Sequence, residues 1–349
     1  MMTRRRGIGL AIAAVLSLTL TACSGSATAA DGPAKTAPST LRIGYFANFT
    51  HAPAIVGLAR GTFQKALGST TRVTTSVFDA GPTETEALLS GSLDIGFIGP
   101  GPVVNAYAKS KAVRVIAGAA ADGAALVVRR GITSTAALKG ATLATPKLAN
   151  TQDIALRYYL KQHGLTTTLT GGGQVRIQPQ SNSDAVNAFK QGQLDGAWVP
   201  EPYATELVAA GGHVLVDEKT LWKGSRFATT NVVVTRDFLT KYPGTVSRFL
   251  TGLVDTVDAI NADPAAAQGV TDAAIRKLTG TGLPPAVLEA AWKNVVFTVD
   301  PVAGSLVDGA KHAEAVGLLD PSTSLDGLYD LAPLDAVLKA HGAAPVPGP

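Results

Sequence analysis

The sequence predicts an α/β protein of two lobes with a ligand cleft between them. Strand-like apolar runs alternate with helix-period stretches over 41–125, and the same rhythm restarts after Leu126. After one more strand at 231–235 the chain turns helical to its end. Two α/β units with a helical remainder imply that the last third returns to complete the first unit. Lobe 1 is therefore expected from 41–125 and 231–342, and lobe 2 from 126–230.

Within the first unit, 41–46, 72–78, 95–98 and 113–117 read as strands, and helices are expected to begin near Ala54, Thr83 and Val103. Because strand and helix alternate, the sheets are expected to be mainly parallel. In the second unit the strands fall at 126–129, 142–144, 175–178, 196–199 and 214–216. Helices fall at 135–138, 151–162, 184–191 and 201–209, with a Thr/Gly loop at 166–173. Beyond 235, Pro243, Pro264, Pro284, Pro285, Pro301 and Pro321 punctuate successive helices, and 343–349 is a Pro/Gly tail without a core-forming pattern.

The first 40 residues read differently. Arg4, Arg5 and Arg6 precede a 14-residue apolar stretch at 7–20, and Leu20-Thr21-Ala22-Cys23 places small residues before the chain's single cysteine. The segment resembles a bacterial lipobox, which implies a lipoprotein signal peptide at 1–22, acylation of Cys23 and a membrane anchor. The other readings are an ordinary signal peptide or a short transmembrane anchor, but 14 residues span poorly against the ~20 that a bilayer requires. Residues 23–40 read as a flexible tether.

Composition narrows the function. Hydrophobic residues make up 46% and charged ones 16%, with a mean hydropathy of +0.20, so the chain folds rather than remaining disordered. Removing residues 1–22 takes Lys+Arg from 30 to 27 against 26 Asp+Glu, a net charge of +1. A nearly neutral body lacks the basic face that nucleic acids require, so no nucleic-acid partner is expected. One cysteine excludes disulfides within the chain, redox CxxC motifs and cysteine-based zinc clusters. His51, His163, His213, His312 and His341 show no ligand spacing, and no HExxH, GxSxG or Gly-Lys-Ser/Thr occurs. No catalytic residue, metal or cofactor is expected.

In open sheets ligands sit beyond the carboxyl ends of strands, where loops lead into helix N-termini. Asn48, Phe49, Thr50 and His51 follow the first strand and offer an aromatic, a hydroxyl and an imidazole, or else simply a capped turn. Gly99, Pro100 and Gly101 form a strand–loop–helix junction with free backbone N–H groups, without the third glycine of a dinucleotide fingerprint. Asn150 is a good N-cap for the strongest helix, and Thr151 and Gln152 either point into the cleft or only cap. Trp198, Glu201 and Tyr203 surround another helix start. There Glu201 reads as a ligand contact, an interlobe latch or a helix-dipole partner. Thr229, Thr230 and Asn231 lie where the chain is expected to cross back between lobes, and the hydroxyls there either face the ligand or simply satisfy the hinge backbone. Only Lys147 is a nearby base, so an anion held here is expected to meet neutral donors, with Phe49, Trp198 and Tyr203 along any organic tail.

Taken together, Ile43-Gly44-Tyr45-Phe46, His51-Ala52-Pro53-Ala54, Gly61-Thr62-Phe63, the run from Leu93 to Pro102, Thr151-Gln152-Asp153 with Leu156-Arg157-Tyr158, and Asp195 to Pro202 resemble the solute-binding proteins of ABC importers for aliphatic sulfonates, taurine and nitrate. The similarity runs from about Leu41 past Leu250. It implies a type II periplasmic-binding-protein fold and a monomeric, extracytoplasmic, lipid-anchored receptor that hands a small anionic solute to an inner-membrane permease. A binder of a thiamine-precursor pyrimidine or related heterocycle would share these segments. Enzymes of the same superfamily, sulfinate desulfinases and thiamine-pyrimidine synthases, resemble it too but use cysteines, and residues 24–349 contain none.

Overall fold

The computed structural model describes residues 37–349. The signal segment, Cys23 and most of the tether lie outside the described residues. Among the described residues, eleven strands form two sheets. The first contains β1 (Thr40–Phe46), β2 (Arg72–Phe78), β3 (Ile95–Ile98), β4 (Val113–Asp122), β10 (Ala228–Thr235) and β11 (Val295–Phe297), in the order β11-β4-β10-β3-β1-β2. The second contains β5 (Ala124–Arg129), β6 (Thr142–Thr145), β7 (Arg176–Pro179), β8 (Gly196–Pro200) and β9 (Gly212–Asp217), in the order β7-β6-β8-β5-β9.

Helices cover both sheets: α1 (Ala52–Ala59), α2 (Thr62–Leu67), α3 (Gly81–Leu89), α4 (Pro100–Ser110), α5 (Thr151–Gln162), α6 (Asn182–Lys190) and α7 (Tyr203–Ala209). The helical last third supplies α8 (Arg236–Lys241), α9 (Pro243–Ala262), α10 (Pro264–Thr279), α11 (Pro285–Lys293), α12 (Ala303–Ala315) and α13 (Ala332–Ala340). Among the described residues no helix is long and apolar enough to cross a membrane.

The sheets are mixed rather than mainly parallel. β1 pairs parallel with β2 and β3, and β6 with β7 and β8, but β10 runs antiparallel to both β3 and β4, as β5 does to β8 and β9. The cause is the crossing between sheets. β4 ends at Asp122 and β5 begins two residues later in the other sheet, so no crossover helix intervenes to restore direction. Gly123 at the crossing has φ +73°. The return strand β10 lies beside β4, and Asp122 ties the two: its Oδ1 accepts the Phe227 N–H at 3.1 Å and its carbonyl accepts the Thr229 hydroxyl.

Each sheet is sandwiched between two apolar layers. On one face of the first sheet α1, α2, α9 and α13 bury Ile55, Phe63, Phe249 and Leu338, with the Phe63 and Phe249 rings stacked at 4.8 Å. On the other, α3, α4 and α12 bury Leu88, Val104 and Leu306. The last third thus completes the first sheet's layers. The tail also packs: Val346 meets this core and its N–H donates to Asp335 Oδ1.

Candidate functional site

Strand exits from both sheets converge on one small cavity, walled by Phe46, Asn48, Thr50, His51, Asp79 and Gly99 from the first sheet's strand ends and loops, Pro146, Asn150, Thr151, Gln152, Asn182 and Pro200 from the second's, and Thr229 of β10. Of the residues expected from sequence, Asn48, Thr50, His51, Gly99, Asn150, Thr151 and Gln152 meet here.

The polar atoms are arranged so that donors are left over. His51 is buried, and its Nδ1 accepts the Phe46 N–H at 3.1 Å, so the neutral ring carries its proton on Nε2. Burial pushes its pKa down to about 3, which keeps it neutral. Asn48 Oδ1 accepts the Thr50 hydroxyl at 2.9 Å, which spends the Thr50 proton and leaves the Asn48 NH2 without a partner among the described residues. Asn150 Nδ2 donates to Gln152 Oε1 at 3.0 Å, so the Gln152 NH2 is the free group of that pair.

Asn150 occupies the N-cap of α5 by backbone position, but its side chain accepts no cap hydrogen bond. The Thr151 and Gln152 N–H groups therefore remain open at the positive end of the helix dipole. The acid in that first turn does not oppose an anion. Asp153 is fully buried, accepting from Thr145 Oγ1 at 2.9 Å, from the Ala149 N–H at 3.0 Å and from Arg157 Nε at 2.8 Å. Its charge is thus balanced by Arg157.

Two helix starts close over each other. The Gly101 N–H of α4 donates to Thr151 Oγ1 of α5 at 3.2 Å. A Cβ on Gly101 would lie 3.2 Å from the Thr151 N and Cα and 2.7 Å from Ile154 Cδ1, so only glycine lets the backbones approach this far. Pro100 and Gly101 face an adjoining apolar pocket with Val104, Ile154 and Trp222 rather than the cavity itself. Lys147 sits outside as well, its ammonium donating to Thr83 Oγ1 at 2.8 Å, and no lysine or arginine lines the cavity.

The remaining expected residues lie elsewhere. Phe49 is fully buried against Trp292 at 5.6 Å between ring centres, and Trp198 is fully buried in the second sheet's core with its Nε1–H on Glu218 Oε2 at 2.6 Å. An aromatic at a strand end serves a core as readily as a cleft, and here both do. Tyr203 lines the wider mouth instead, with Asp79, Asn182 and Glu206. Glu201 joins the sheets: its Oε1 accepts Asn294 Nδ2 at 2.6 Å and the Thr205 hydroxyl, its Oε2 accepts the Thr205 N–H, and its carbonyl accepts the Phe49 N–H. On β10 it is Thr229 that faces the cavity, whereas the Thr230 hydroxyl is buried without a partner among the described residues, a one-residue shift that turns a strand side chain to the opposite face.

Asp79, Pro146 and Asn182 were not singled out from sequence, and Pro200 entered only as part of the segment around Glu201. Each sits at or just after a strand end, so the rule that pointed to Asn48 and Gly99 points to them when applied to every strand. Among the described residues no group of three or more His, Cys, Asp or Glu could hold a metal ion.

Comparisons with known proteins bear on the fold and the family. The taurine-binding periplasmic protein of Escherichia coli K12 is 30% identical over 214 residues, 61% of this chain and 64% of that protein, so the match spans less than two thirds of that relative. The alkanesulfonate-binding protein of Xanthomonas axonopodis pv. citri, solved with MOPS bound, superposes with a TM-score of 0.71 at 20% identity, covering 85% of this chain and 100% of that one. The periplasmic nitrate-binding protein of Synechocystis PCC 6803 gives 0.68 at 14% identity, covering 87% and 90%. These structures share the two-lobed periplasmic-binding-protein fold. Residues 34–275 match the NMT1-like family, and the chain belongs to that family.

Proposed function

We propose that the protein is the extracytoplasmic solute-binding component of an ABC importer, capturing a small oxyanion such as an aliphatic sulfonate, taurine or nitrate and presenting it to an inner-membrane permease without altering it. The observation that carries this reading is the polarity of the cavity. Its unspent groups include the Asn48 and Gln152 amides, the His51 Nε2–H, the Thr151 hydroxyl and two N–H groups at the start of α5, all neutral donors. Neutral donors cost less to desolvate than an ammonium, and a helix N-terminus already favours negative charge. Hydrogen bonds to a charged group contribute about 1.5–3 kcal/mol each, so a few of them hold an oxyanion without a cation.

Among oxyanions, the cavity mouth favours taurine. Asp79 lines it with its carboxylate unpaired among the described residues, and Asn182 Oδ1 is buried there without a partner. Acceptors on Asp79 and Asn182 beside the neutral donors of the same cavity match a short zwitterion, with the sulfonate on the donors and the ammonium towards Asp79. Calorimetry on Asp79→Asn tests this: taurine affinity is expected to fall about 5-fold, roughly 1 kcal/mol for a partly exposed ion pair, with ethanesulfonate unchanged. Equal losses for both solutes would remove Asp79 from the site.

Contacts that join loops of the two sheets, Gly101 N–H to Thr151 and Lys147 to Thr83, support closure around the solute. The anchor is proposed at Cys23. Cys23→Ser is expected to release the protein from membranes, and retention without acylation would contradict it.

A further inference from the structure

α5 also walls a second, open cavity between its C-terminal half, loop 164–169 and the end of α12. The polar side chains that matter in its walls are Arg157, Lys161 and Thr167, and Leu165, Leu169 and Val316 form an apolar side. No acid lines it. Arg157 is 2% exposed. Its Nε donates to Asp153 and its Nη1 to the Thr168 carbonyl at 2.6 Å, but Nη2 has no partner among the described residues. The Thr167 hydroxyl is buried and equally unpartnered. Lys161 Nζ spends one N–H on the Ala315 carbonyl and keeps two.

A buried donor left unsatisfied is costly, more so on a charged group, so two of them against one cavity mark a place that an acceptor would complete. Asp153 balances Arg157, which leaves Lys161 as the uncompensated charge of the lining. Donors without an acceptor and one net positive charge select an anion, and the planar guanidinium edge suits the oxygens of a phosphate. Leu169 is 46% exposed, which offers apolar surface beside the headgroup.

We propose that this cavity is a second anion site, distinct from the cleft, for a phosphate group that is either free or carried on a short alkyl chain. Thr167 belongs to loop 164–169 and Arg157 Nη1 holds the Thr168 carbonyl of the same loop, so an acceptor that reaches the two buried donors is expected to shift that loop. Titrating 15N-labelled protein with inorganic phosphate and with butyl phosphate reads this locally. The amides of 165–169 are expected to shift with saturation for at least one of the two, tighter binding of butyl phosphate assigning the alkyl ester and equal affinity assigning free phosphate. Lys161→Ala is expected to weaken that binding by about 5-fold or more, the loss of one charge-assisted hydrogen bond. Thr167→Val tests the same site without touching a charge and is expected to weaken it by about 2–5-fold. Shifts confined to Thr151 and Gln152, shifts at 165–169 that do not saturate, or affinities unchanged in both variants would overturn the proposal.

Discussion

His51 shows how a single ring sets the electrostatics of the cavity. Its Nδ1 is occupied by the Phe46 N–H, so protonation would require that bond to break as well as a charge to be buried, and both oppose it. With a folded pKa of about 3, the ring is neutral from pH 8 to pH 5, and oxyanion affinity is expected to stay within about 2-fold across that range. Affinity that climbs steeply on acidification through pH 6.5 would mean an imidazolium holds the anion. The stability sign is separate: the unfolded ring takes up a proton below about 6.5 and the folded one does not, so this residue costs stability as pH falls from there towards 3.

Thr151 accepts from Gly101, and in the proposed function its own proton is the one offered to the solute. Thr151→Val is therefore expected to weaken binding by about 1–3 kcal/mol, while Lys147→Ala, whose ammonium lies on Thr83, changes it by less than about 0.5 kcal/mol. Titration calorimetry separates the two, and a neutral Thr151→Val beside a damaging Lys147→Ala would mean a point-charge clamp. Residue identity made Thr151 and Gln152 legible as donors at a helix start. It did not make Thr50 legible as spent, because that depends on which way the Asn48 amide points.

At the scale of elements, the strand-exit rule pointed to residues that wall one cavity because it follows from how a sheet and its helices meet, whatever the side chains. α5 was readable residue for residue, since Asn150 before an amphipathic stretch and Gly164 after it mark both ends. The six-residue α2 and the three-residue β11 were not, being shorter than the period that reveals them. The direction of β10 and β5 was also hidden: strand runs look alike either way, and pairing across some 110 residues leaves no local mark.

Two element junctions yield predictions. Gly101→Ala is expected to hold α4 off α5 and weaken solute binding by roughly 1–3 kcal/mol, with a much smaller effect on the melting temperature of the solute-free protein. Binding as tight as in the unmodified protein would mean that the helix starts do not meet in the bound state. Glu218, in the turn after β9, is buried and accepts the Trp198 Nε1–H, and burial raises its pKa to about 7. The stability its neutral form contributes is complete below about pH 4.5 and is lost as pH rises through 7, roughly 3 kcal/mol at most. Thermal denaturation of Glu218→Gln is expected to show a shallower decline between pH 5 and 8. An unchanged slope would assign that decline to other groups, among them the buried Glu84, whose pKa is raised the same way.

For the molecule as a whole, the two-unit rhythm and helical remainder predicted the architecture because they reflect how many layers each sheet must have covered. What stayed hidden was the fate of Phe49 and Trp198, since a large aromatic at a strand end fits a core and a cleft equally well until the packing is known. In the proposed function, neutral donors from the two sheets' loops hold an oxyanion. Isothermal titration of the protein at pH 7 with taurine, ethanesulfonate, nitrate and a thiamine-precursor pyrimidine tests it most directly. Saturable one-to-one binding of at least one sulfonate is expected, weakened by roughly 1–3 kcal/mol in Thr151→Val, with no heat from the pyrimidine. Saturable binding of the pyrimidine with none of any oxyanion would contradict it.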